Sequence, residues 1–272
     1  MTKSAKADLT TTGLLPDFRK PPVVETSLGF YFPPLSGWSF VHVGALWQEF
    51  KDKYPKAEYR PPINVPGDAQ KLIAEIFADV GKIPFRTCLV DKSNTQLVQL
   101  QNSCFFHNWR KTADTPQYQH YGTVKPFFQN DWETFCRFLV KNSLQVPDVS
   151  RCEVTYFNHL VRGEDWQDMS EFSTMFPSCR VTEAEGMLSK IETANISVSY
   201  ELGDGKFGVS VSPGVRQTDG KEVIVLTITG SSTPKGSTDD LFQHLDLCHR
   251  NAVLGFARFT SEDLKKKWER ML

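Results

Sequence analysis

Four consecutive residues in the first half of the chain have the side chains best suited to chemistry: Asn108, Trp109, Arg110 and Lys111. Two cations beside an indole ring can hold a phosphate or a carboxylate, and the ring can stack on a ligand. The same residues also fit a structural role, in which the indole lies in the core, the amide satisfies a buried backbone group and the cations pair with carboxylates. The residue types favour the structural role, and an anion site stays open as the alternative.

A second polar pair lies in the second half, at Tyr156 and Asn158. The two residues belong to a segment rich in β-branched and aromatic side chains, so they are expected on the same face of a strand. There they are expected to meet the polar strand end of the first half. They serve either as ligand-binding groups or as hydrogen-bonding groups buried between the halves. With the four residues above, they form the predicted ligand-binding set.

Histidines are the candidate bases if the protein is an enzyme, and His107 and His159 are the two that the sequence singles out. His244 and Cys248 are four residues apart on a predicted helix, which is the spacing for two metal ligands on one face. Cys248 also belongs to the apolar stripe of that helix, so a buried thiol is favoured and no metal site is predicted.

Fingerprints of two common enzyme classes are absent from the sequence. The chain has no Gly-x-Ser-x-Gly and no Gly-x4-Gly-Lys-Ser/Thr, the patterns of serine hydrolases and of phosphate-binding loops. Glu183 and Glu185 are two residues apart and could act as paired carboxylates, although a solvated strand face explains them more simply. The sequence therefore predicts no cofactor and identifies no catalytic residue.

Composition places the chain among globular proteins, with 40% hydrophobic and 23% charged residues. No apolar run reaches the roughly 18 residues of a membrane span, and no secretory leader is recognised, so a cytoplasmic protein is predicted. Its six cysteines are then expected to be free thiols. Residues 1–145 hold 17 basic and 13 acidic side chains, a small excess that only weakly supports nucleic-acid binding.

The spacing of apolar residues predicts an α+β protein made of two similar halves in tandem. Each half reads as a strand, a helix, about four antiparallel strands and a helix. That order of elements is the order of TATA-binding-protein-like folds and of a shorter helix-grip fold. Residues 1–20 are predicted as a flexible tail, residues 21–147 as the first half and residues 148–272 as the second half.

The individual elements follow from periodicity and from turn residues. Strands are predicted at 23–32, 57–63, 83–90, 96–101 and 104–109, and in the second half at 151–161, 180–192, 195–202, 206–212 and 222–229. Helices are predicted at 41–54, 68–79, 130–142 and 165–172, with a final helix from about 237 to 259.

Several motifs together resemble a sporadically distributed family of uncharacterised prokaryotic proteins. The resemblance covers most of residues 20–260, and Phe157-Asn158-His159-Leu160 departs from the family pattern. It is carried by Pro21-Pro22-x-Val24-Glu25, Lys53-Tyr54-Pro55, Leu97-Val98-Gln99-Leu100-Gln101, Asn108-Trp109-Arg110-Lys111 and Tyr156-x-Asn158. The family offers no agreed activity and no catalytic residues. Its patchy distribution implies mobile genes, such as those of defence or toxin–antitoxin systems.

Binding is the favoured function. The joint between the two halves is the expected site, because pockets form preferentially at domain interfaces. The expected partner is a protein or a small anionic ligand such as a nucleotide, and no membrane is involved. The alternatives are an enzyme of unfamiliar type, such as a hydrolase acting on a phosphorylated or nucleic-acid substrate, and a structural subunit of an assembly. Self-association into a homo-oligomer stays open.

Overall fold

The computed structural model describes residues 14–63, 86–179, 191–234 and 238–271. Some of the predicted features lie outside these residues. They are the tail up to residue 13, the helix at 68–79, most of the strand at 180–192 and the pair Glu183 and Glu185.

Within the described residues, nine strands form one antiparallel sheet. Along the chain they are β1 (Val23–Tyr31), β2 (Lys56–Arg60), β3 (Arg86–Val90), β4 (Gln96–Gln101), β5 (Cys104–Arg110), β6 (Arg151–Val161), β7 (Ile196–Leu202), β8 (Gly205–Val215) and β9 (Glu222–Ser232). Across the sheet the order is β2-β3-β4-β5-β1-β6-β9-β8-β7. The first strands of the two predicted halves, β1 and β6, are therefore neighbours at the centre.

Five α-helices accompany the sheet in the described part of the chain: α1 (Phe40–Phe50), α2 (Tyr121–Lys141), α3 (Phe172–Met175), α4 (Thr238–Phe259) and α5 (Glu262–Lys267). A short 3-10 helix, Met169–Glu171, precedes α3. None of the helices in the described residues is long and apolar enough to cross a membrane. The α+β class predicted from periodicity is confirmed.

Helices α2 and α4 cover the same face of the sheet, because alternate strand residues on that face are apolar. Under α2, the ring of Phe30 lies 4.8 Å from that of Phe128 and 5.0 Å from that of Trp132. Phe105 of β5 stacks on Phe135 at 4.8 Å. These edge-to-face and stacked rings fix α2 over β1 and β5. Helix α4 packs in the same way over β6, β8 and β9.

The opposite side of the sheet, which no helix of the described residues covers and which is called here the helix-free face, carries polar side chains in register on its central strands. One row of paired residues crosses all nine strands: Lys56, Val90, Leu97, Asn108, Ser27, Thr155, Thr229, Gly208 and Ser199. Hydroxyl and amide groups occupy the central strands of this row. The row thus gives the helix-free face a polar centre, whereas Val90 and Leu97 in the row, and Tyr31 and Phe106 further along the central strands, belong to small buried apolar clusters.

Residues 14–20 are packed against the C-terminus, so the folded part begins before residue 21. The ring of Phe18 lies 5.5 Å from that of Phe256 and 6.3 Å from that of Trp268. The Met271 N–H donates to the Asp17 carbonyl at 2.9 Å, and the Arg19 N–H donates to the Glu269 carbonyl at 3.1 Å.

The start of one helix differs from the prediction. Helix α2 begins at Tyr121 and not near 130, so Pro126 lies inside the helix, although a proline normally marks a helix boundary.

The segment 203–208 contains the pattern Gly-x-Gly-x-x-Gly. It lies in the hairpin between β7 and β8 and not at a strand-to-helix turn, so it lacks the geometry of a dinucleotide-binding loop.

Gly230 of β9 is expected to be essential for the contact between the sheet and α4. A Cβ atom at this position would lie 1.9 Å from the Cys248 carbonyl oxygen, so Gly230→Ala must displace the helix. We expect a loss of about 3 kcal/mol in the free energy of unfolding, measured by urea denaturation. Gly208→Ala in the neighbouring strand β8 is the control, since its nearest contact would be 3.7 Å away. Equal effects of the two substitutions would contradict this account.

Candidate functional site

A cavity of about 310 Å³ lies on the helix side of the central strands, and we call it the joint cavity. Its floor comes from β1, β6 and β9, its roof from the start of α2 and the middle of α4, and one wall from residues 15–21. Side chains from before and after residue 147 line it together. Its main polar and aromatic lining residues are Tyr118, Tyr121, Tyr156, Asn158, His249 and Phe256.

Tyr156 is the centre of the hydrogen bonding in the cavity. Its hydroxyl lies 2.7 Å from Nδ1 of His249, and Tyr118 lines the same cavity. Burial raises the pKa of Tyr156 well above its ordinary value, and burial likewise raises the pKa of Tyr118. Both hydroxyls are therefore uncharged at neutral pH and can donate hydrogen bonds.

His249 is held from two sides. Its ring stacks on Tyr121 with centroids 4.1 Å apart, while Nδ1 faces Tyr156. Burial lowers the pKa of His249 to about 4, so the imidazole is neutral at pH 7. The Tyr121 hydroxyl donates to Asp246 at 2.8 Å, and Lys125 pairs with the same carboxylate at 2.7 Å. The positive charge of Lys125 is thus already paired with the carboxylate of Asp246.

Asn158 contributes a buried amide to the wall of the cavity and is 1% exposed. Its Nδ2 donates to the carbonyl of Leu226 at 2.9 Å and to the carbonyl of Tyr156 at 3.3 Å. Its Oδ1 has no hydrogen-bond partner among the described residues. A buried acceptor without a donor costs about 1–3 kcal/mol, so this oxygen is the group of the cavity with most to gain from a ligand.

Trp109 is fully buried and lies behind the cavity wall. Its ring meets that of Tyr118 edge-on, with centroids 5.6 Å apart. Thr26 of β1 pairs in register with Trp109 on one side and with Tyr156 on the other. Of the six predicted ligand-binding residues, the structure thus places Tyr156 and Asn158 in the cavity wall and Trp109 behind it.

The other three predicted residues lie elsewhere. Asn108 and Arg110 alternate with Trp109 along β5, so they point to the helix-free face. Lys111 follows the strand and is exposed, with its backbone N–H donating to the Val24 carbonyl at 2.8 Å. The strand period therefore divides a cluster that is continuous in sequence between the two sides of the sheet.

Asn108 belongs to a chain of hydrogen bonds across four strands of the helix-free face. Arg86 donates to Oε1 of Gln99 at 2.7 Å, Nε2 of Gln99 donates to Oδ1 of Asn108 at 2.5 Å, and Nδ2 of Asn108 donates to Glu25 at 2.5 Å. Burial raises the pKa of Glu25, although the bond from Asn108 and the nearby Arg110 oppose that rise. The side-chain amides of Gln99 and Asn108 thus lie in line between the guanidinium of Arg86 and the carboxylate of Glu25.

His107, a candidate base, is fully buried on the helix side. Its Nδ1 lies 2.7 Å from Asp131, and its Nε2 lies 2.7 Å from Oε1 of Gln96. The Tyr54 hydroxyl donates to the same carboxylate at 2.6 Å, and Lys53 pairs with it at 2.8 Å. Both ring nitrogens are thus used within the core, and this histidine is not among the residues that line the joint cavity.

His159, the second candidate base, belongs to β6 but also lies outside the joint cavity. Cys248 is a buried thiol whose Sγ lies 3.3 Å from Oγ of Ser232, and Nδ1 of His244 lies 3.0 Å from that hydroxyl. In the described ranges, no three His, Cys, Asp or Glu side chains are grouped so that they could hold a metal ion.

Sequence reasoning missed three lining residues, Tyr118, Tyr121 and His249. Tyr121 is the first residue of α2, whose start was predicted nine residues too late, and Tyr118 lies in the loop that precedes this helix. His249 lies next to the apolar stripe of α4, and nothing in its neighbours along the chain indicates the stacked ring of Tyr121. A correct start for α2 would have placed Tyr121 on a helix, but it would not have predicted that Tyr121 stacks on His249.

Comparison of the chain with protein-family models, with curated proteins and with solved structures gives no match. The function is therefore inferred from the chemistry of the cavity. Aromatic walls and uncharged hydrogen-bonding groups suit a small molecule with a flat apolar body and a few polar atoms.

The titration of His249 predicts a specific loss of stability in acid. Its folded pKa of about 4 lies below the ordinary value of 6.5, so the free energy of unfolding falls as the pH drops from about 6.5 towards 4. His249→Gln keeps a polar partner for Tyr156 but cannot titrate. We expect this part of the pH dependence, on the order of 2 kcal/mol, to disappear in the variant. Urea unfolding at pH 7 and pH 4.5 measures it, and an equal acid loss in both proteins would contradict the assignment.

Proposed function

We propose that the protein binds a small molecule in the joint cavity. The observation that carries the proposal is the convergence of Tyr156, His249 and the unpaired Asn158 oxygen on one apolar cavity of about 310 Å³. Natural ligand pockets of roughly 300–1,000 Å³ have this character, with a few polar groups in a mostly apolar lining. The volume is at the lower end of that range, which favours a compact ligand.

Binding is favoured over acid–base catalysis by the state of the cavity's histidine. A general base works best when its pKa is near the working pH, whereas burial lowers the pKa of His249 to about 4. Its Nδ1 is also engaged by the Tyr156 hydroxyl. The tyrosine hydroxyls are held protonated by burial. These groups suit recognition of a ligand better than transfer of its protons.

The tandem arrangement of two similar halves is part of this proposal. It is supported by the order of strands on either side of the β1–β6 pair, where β5-β4-β3-β2 extends one way and β9-β8-β7 the other. A long helix ends each half on the same face of the sheet. Superposing residues 21–147 on 148–271 tests it: β1 should match β6 and α2 should match α4. A superposition that pairs fewer than half of the strands would contradict the arrangement.

Three further expectations stay predictions. Free thiols at all six cysteines support the reducing cytoplasm predicted from the sequence. A place in a defence or toxin–antitoxin system rests on the family resemblance alone. Self-association and a protein partner rest on the sequence-derived interpretation of the chain as a binding module.

A cavity-filling variant tests small-molecule binding. Ala252 of α4 lines the joint cavity and is fully buried, so Ala252→Phe would place a ring inside it. Protein purified gently from its own cells is expected to carry an extra mass in native mass spectrometry, and the variant is expected to lose it. Val140→Phe, at an exposed position of α2, is the control and should keep the mass. Wild-type protein without extra mass, or an extra mass unchanged in Ala252→Phe, would contradict binding in this cavity.

A second candidate function is binding of a phosphate or carboxylate group at the helix-free face. Three guanidinium groups, those of Arg60, Arg86 and Arg110, all act on the carboxylate of Glu25. The Nε atoms of Arg86 and Arg110 are buried and have no hydrogen-bond partner in the described residues. Arginine clusters of this kind bind oxyanions through paired hydrogen bonds.

Inorganic pyrophosphate is the probe for that second function. If the site exists, millimolar pyrophosphate raises the midpoint of thermal unfolding of the wild-type protein, and Arg110→Gln combined with Lys111→Gln reduces the rise at least fivefold. Arg216→Gln, which removes a surface cation paired with Asp219, is the control. A rise of equal size in all three proteins indicates unspecific charge, and no rise at all excludes the site.

A further inference from the structure

The orientation of the Asn158 amide is fixed by the strands around it. Its Nδ2 points to two backbone carbonyl oxygens, those of Leu226 and Tyr156, at 2.9 and 3.3 Å. Turning the amide over would bring an oxygen against both carbonyls and would lose two hydrogen bonds. Oδ1 is therefore the amide atom that is left without a partner in this cavity-lining residue, and it is an acceptor only.

The hydroxyl of Tyr156, two residues earlier on the same strand, does not serve this acceptor. It hydrogen-bonds with Nδ1 of His249 at 2.7 Å. Among the described residues no other group hydrogen-bonds Oδ1. A molecule in the cavity that brings a donor to Asn158 would therefore gain a hydrogen bond that the described residues do not make.

The charge of the lining also constrains the ligand. The buried groups that face the cavity are tyrosine hydroxyls and a histidine that burial keeps neutral. Lys125 lies against Asp246 at 2.7 Å, and Asp17, the carboxylate in the cavity lining, is 40% exposed. A charged group placed among the buried side chains would lose its hydration without meeting a counter-charge among them.

Ring geometry adds a shape requirement. Tyr121 and His249 form a parallel stack, with an interplanar angle of 6°, at the roof of the cavity. Tyr118 and Phe256 supply further aromatic wall. Flat molecules make the largest contact with such walls, since aromatic rings prefer stacked or edge-on neighbours.

We propose that the joint cavity selects an uncharged, planar molecule that carries an N–H or O–H donor, and that Oδ1 of Asn158 accepts this hydrogen. The proposal rests on the small-molecule function stated above and specifies the class of ligand. It differs from the anionic ligand expected from Arg110 and Lys111, because those two cations lie outside the cavity.

Indole and benzofuran are the probes that test this selection. They have the same bicyclic shape, but benzofuran has a ring oxygen where indole has an N–H. Isothermal titration calorimetry with the wild-type protein is expected to give at least a tenfold lower Kd for indole. Asn158→Leu removes the acceptor at similar volume, and the ratio of the two constants is expected to fall below about two.

Two controls keep the outcome clear. Tyr156→Phe leaves Asn158 Oδ1 in place, so the preference for indole should persist whatever the change in absolute affinity. Indole-3-carboxylate and tryptamine test the charge requirement, and both are expected to bind at least tenfold more weakly than indole. If Asn158→Leu does not fold, the comparison of indole with benzofuran on the wild-type protein still tests the need for a donor.

Each result has a distinct meaning. Equal binding of indole and benzofuran overturns the donor inference but leaves small-molecule binding intact. A preference for indole that survives Asn158→Leu overturns the role of Asn158. Tighter binding of the carboxylate or of the amine overturns the uncharged class. No binding of any of the four probes at millimolar concentration overturns both this inference and the proposed function.

Discussion

The pairing of β1 with β6 is the constraint on which the rest of the structure depends. Each strand has a second partner on its far side, β5 and β9, so the four central strands are held by hydrogen bonds on both edges. Because successive side chains of a strand point to opposite faces of the sheet, the two faces of this strand pair have different roles. Thr26, between Trp109 and Tyr156, faces the cavity side, whereas Glu25 carries the polar chain to Asn108 on the helix-free face.

Buried polar groups are concentrated on these central strands, and many of them are hydrogen-bonded in two clusters. The Tyr54–His107–Asp131 cluster lies under α2, and the Arg86-to-Glu25 chain lies on the helix-free face. Such groups are costly to bury unless their hydrogen bonds are made. They therefore fix the register of the strands and the position of α2. The unpaired Asn158 oxygen belongs to a residue that lines the joint cavity, and this position supports the proposed ligand contact.

How much of the fold and of the candidate site could be predicted depends on how far apart in sequence the residues that form each feature lie. Local periodicity is sufficient for the strands and for the α+β class, and a two-residue spacing correctly places Tyr156 and Asn158 on one face. The same period separates Asn108 and Arg110 from Trp109, so one ligand site formed by all four consecutive residues was not compatible with a strand. The structural role favoured for Trp109 agrees with its full burial.

Features that depend on the packing of distant segments were beyond reach. The stack of Tyr121 on His249 joins residues 128 positions apart, and no local pattern relates them. The wall formed by residues 15–21 depends on contacts of Phe18 with the C-terminal segment. Helix α2 extends across Pro126 and begins nine residues before the predicted start, and the tertiary contacts of Phe128 and Trp132 outweigh the local cost of that proline.

A crystal structure of the protein grown with indole tests the central claim most directly, because it shows the position of the molecule as well as its presence. The account predicts planar density in the joint cavity, against the Tyr121–His249 stack and with the ring nitrogen within hydrogen-bonding distance of Asn158 Oδ1. Density at another site, or a joint cavity closed by its own side chains, would contradict the account.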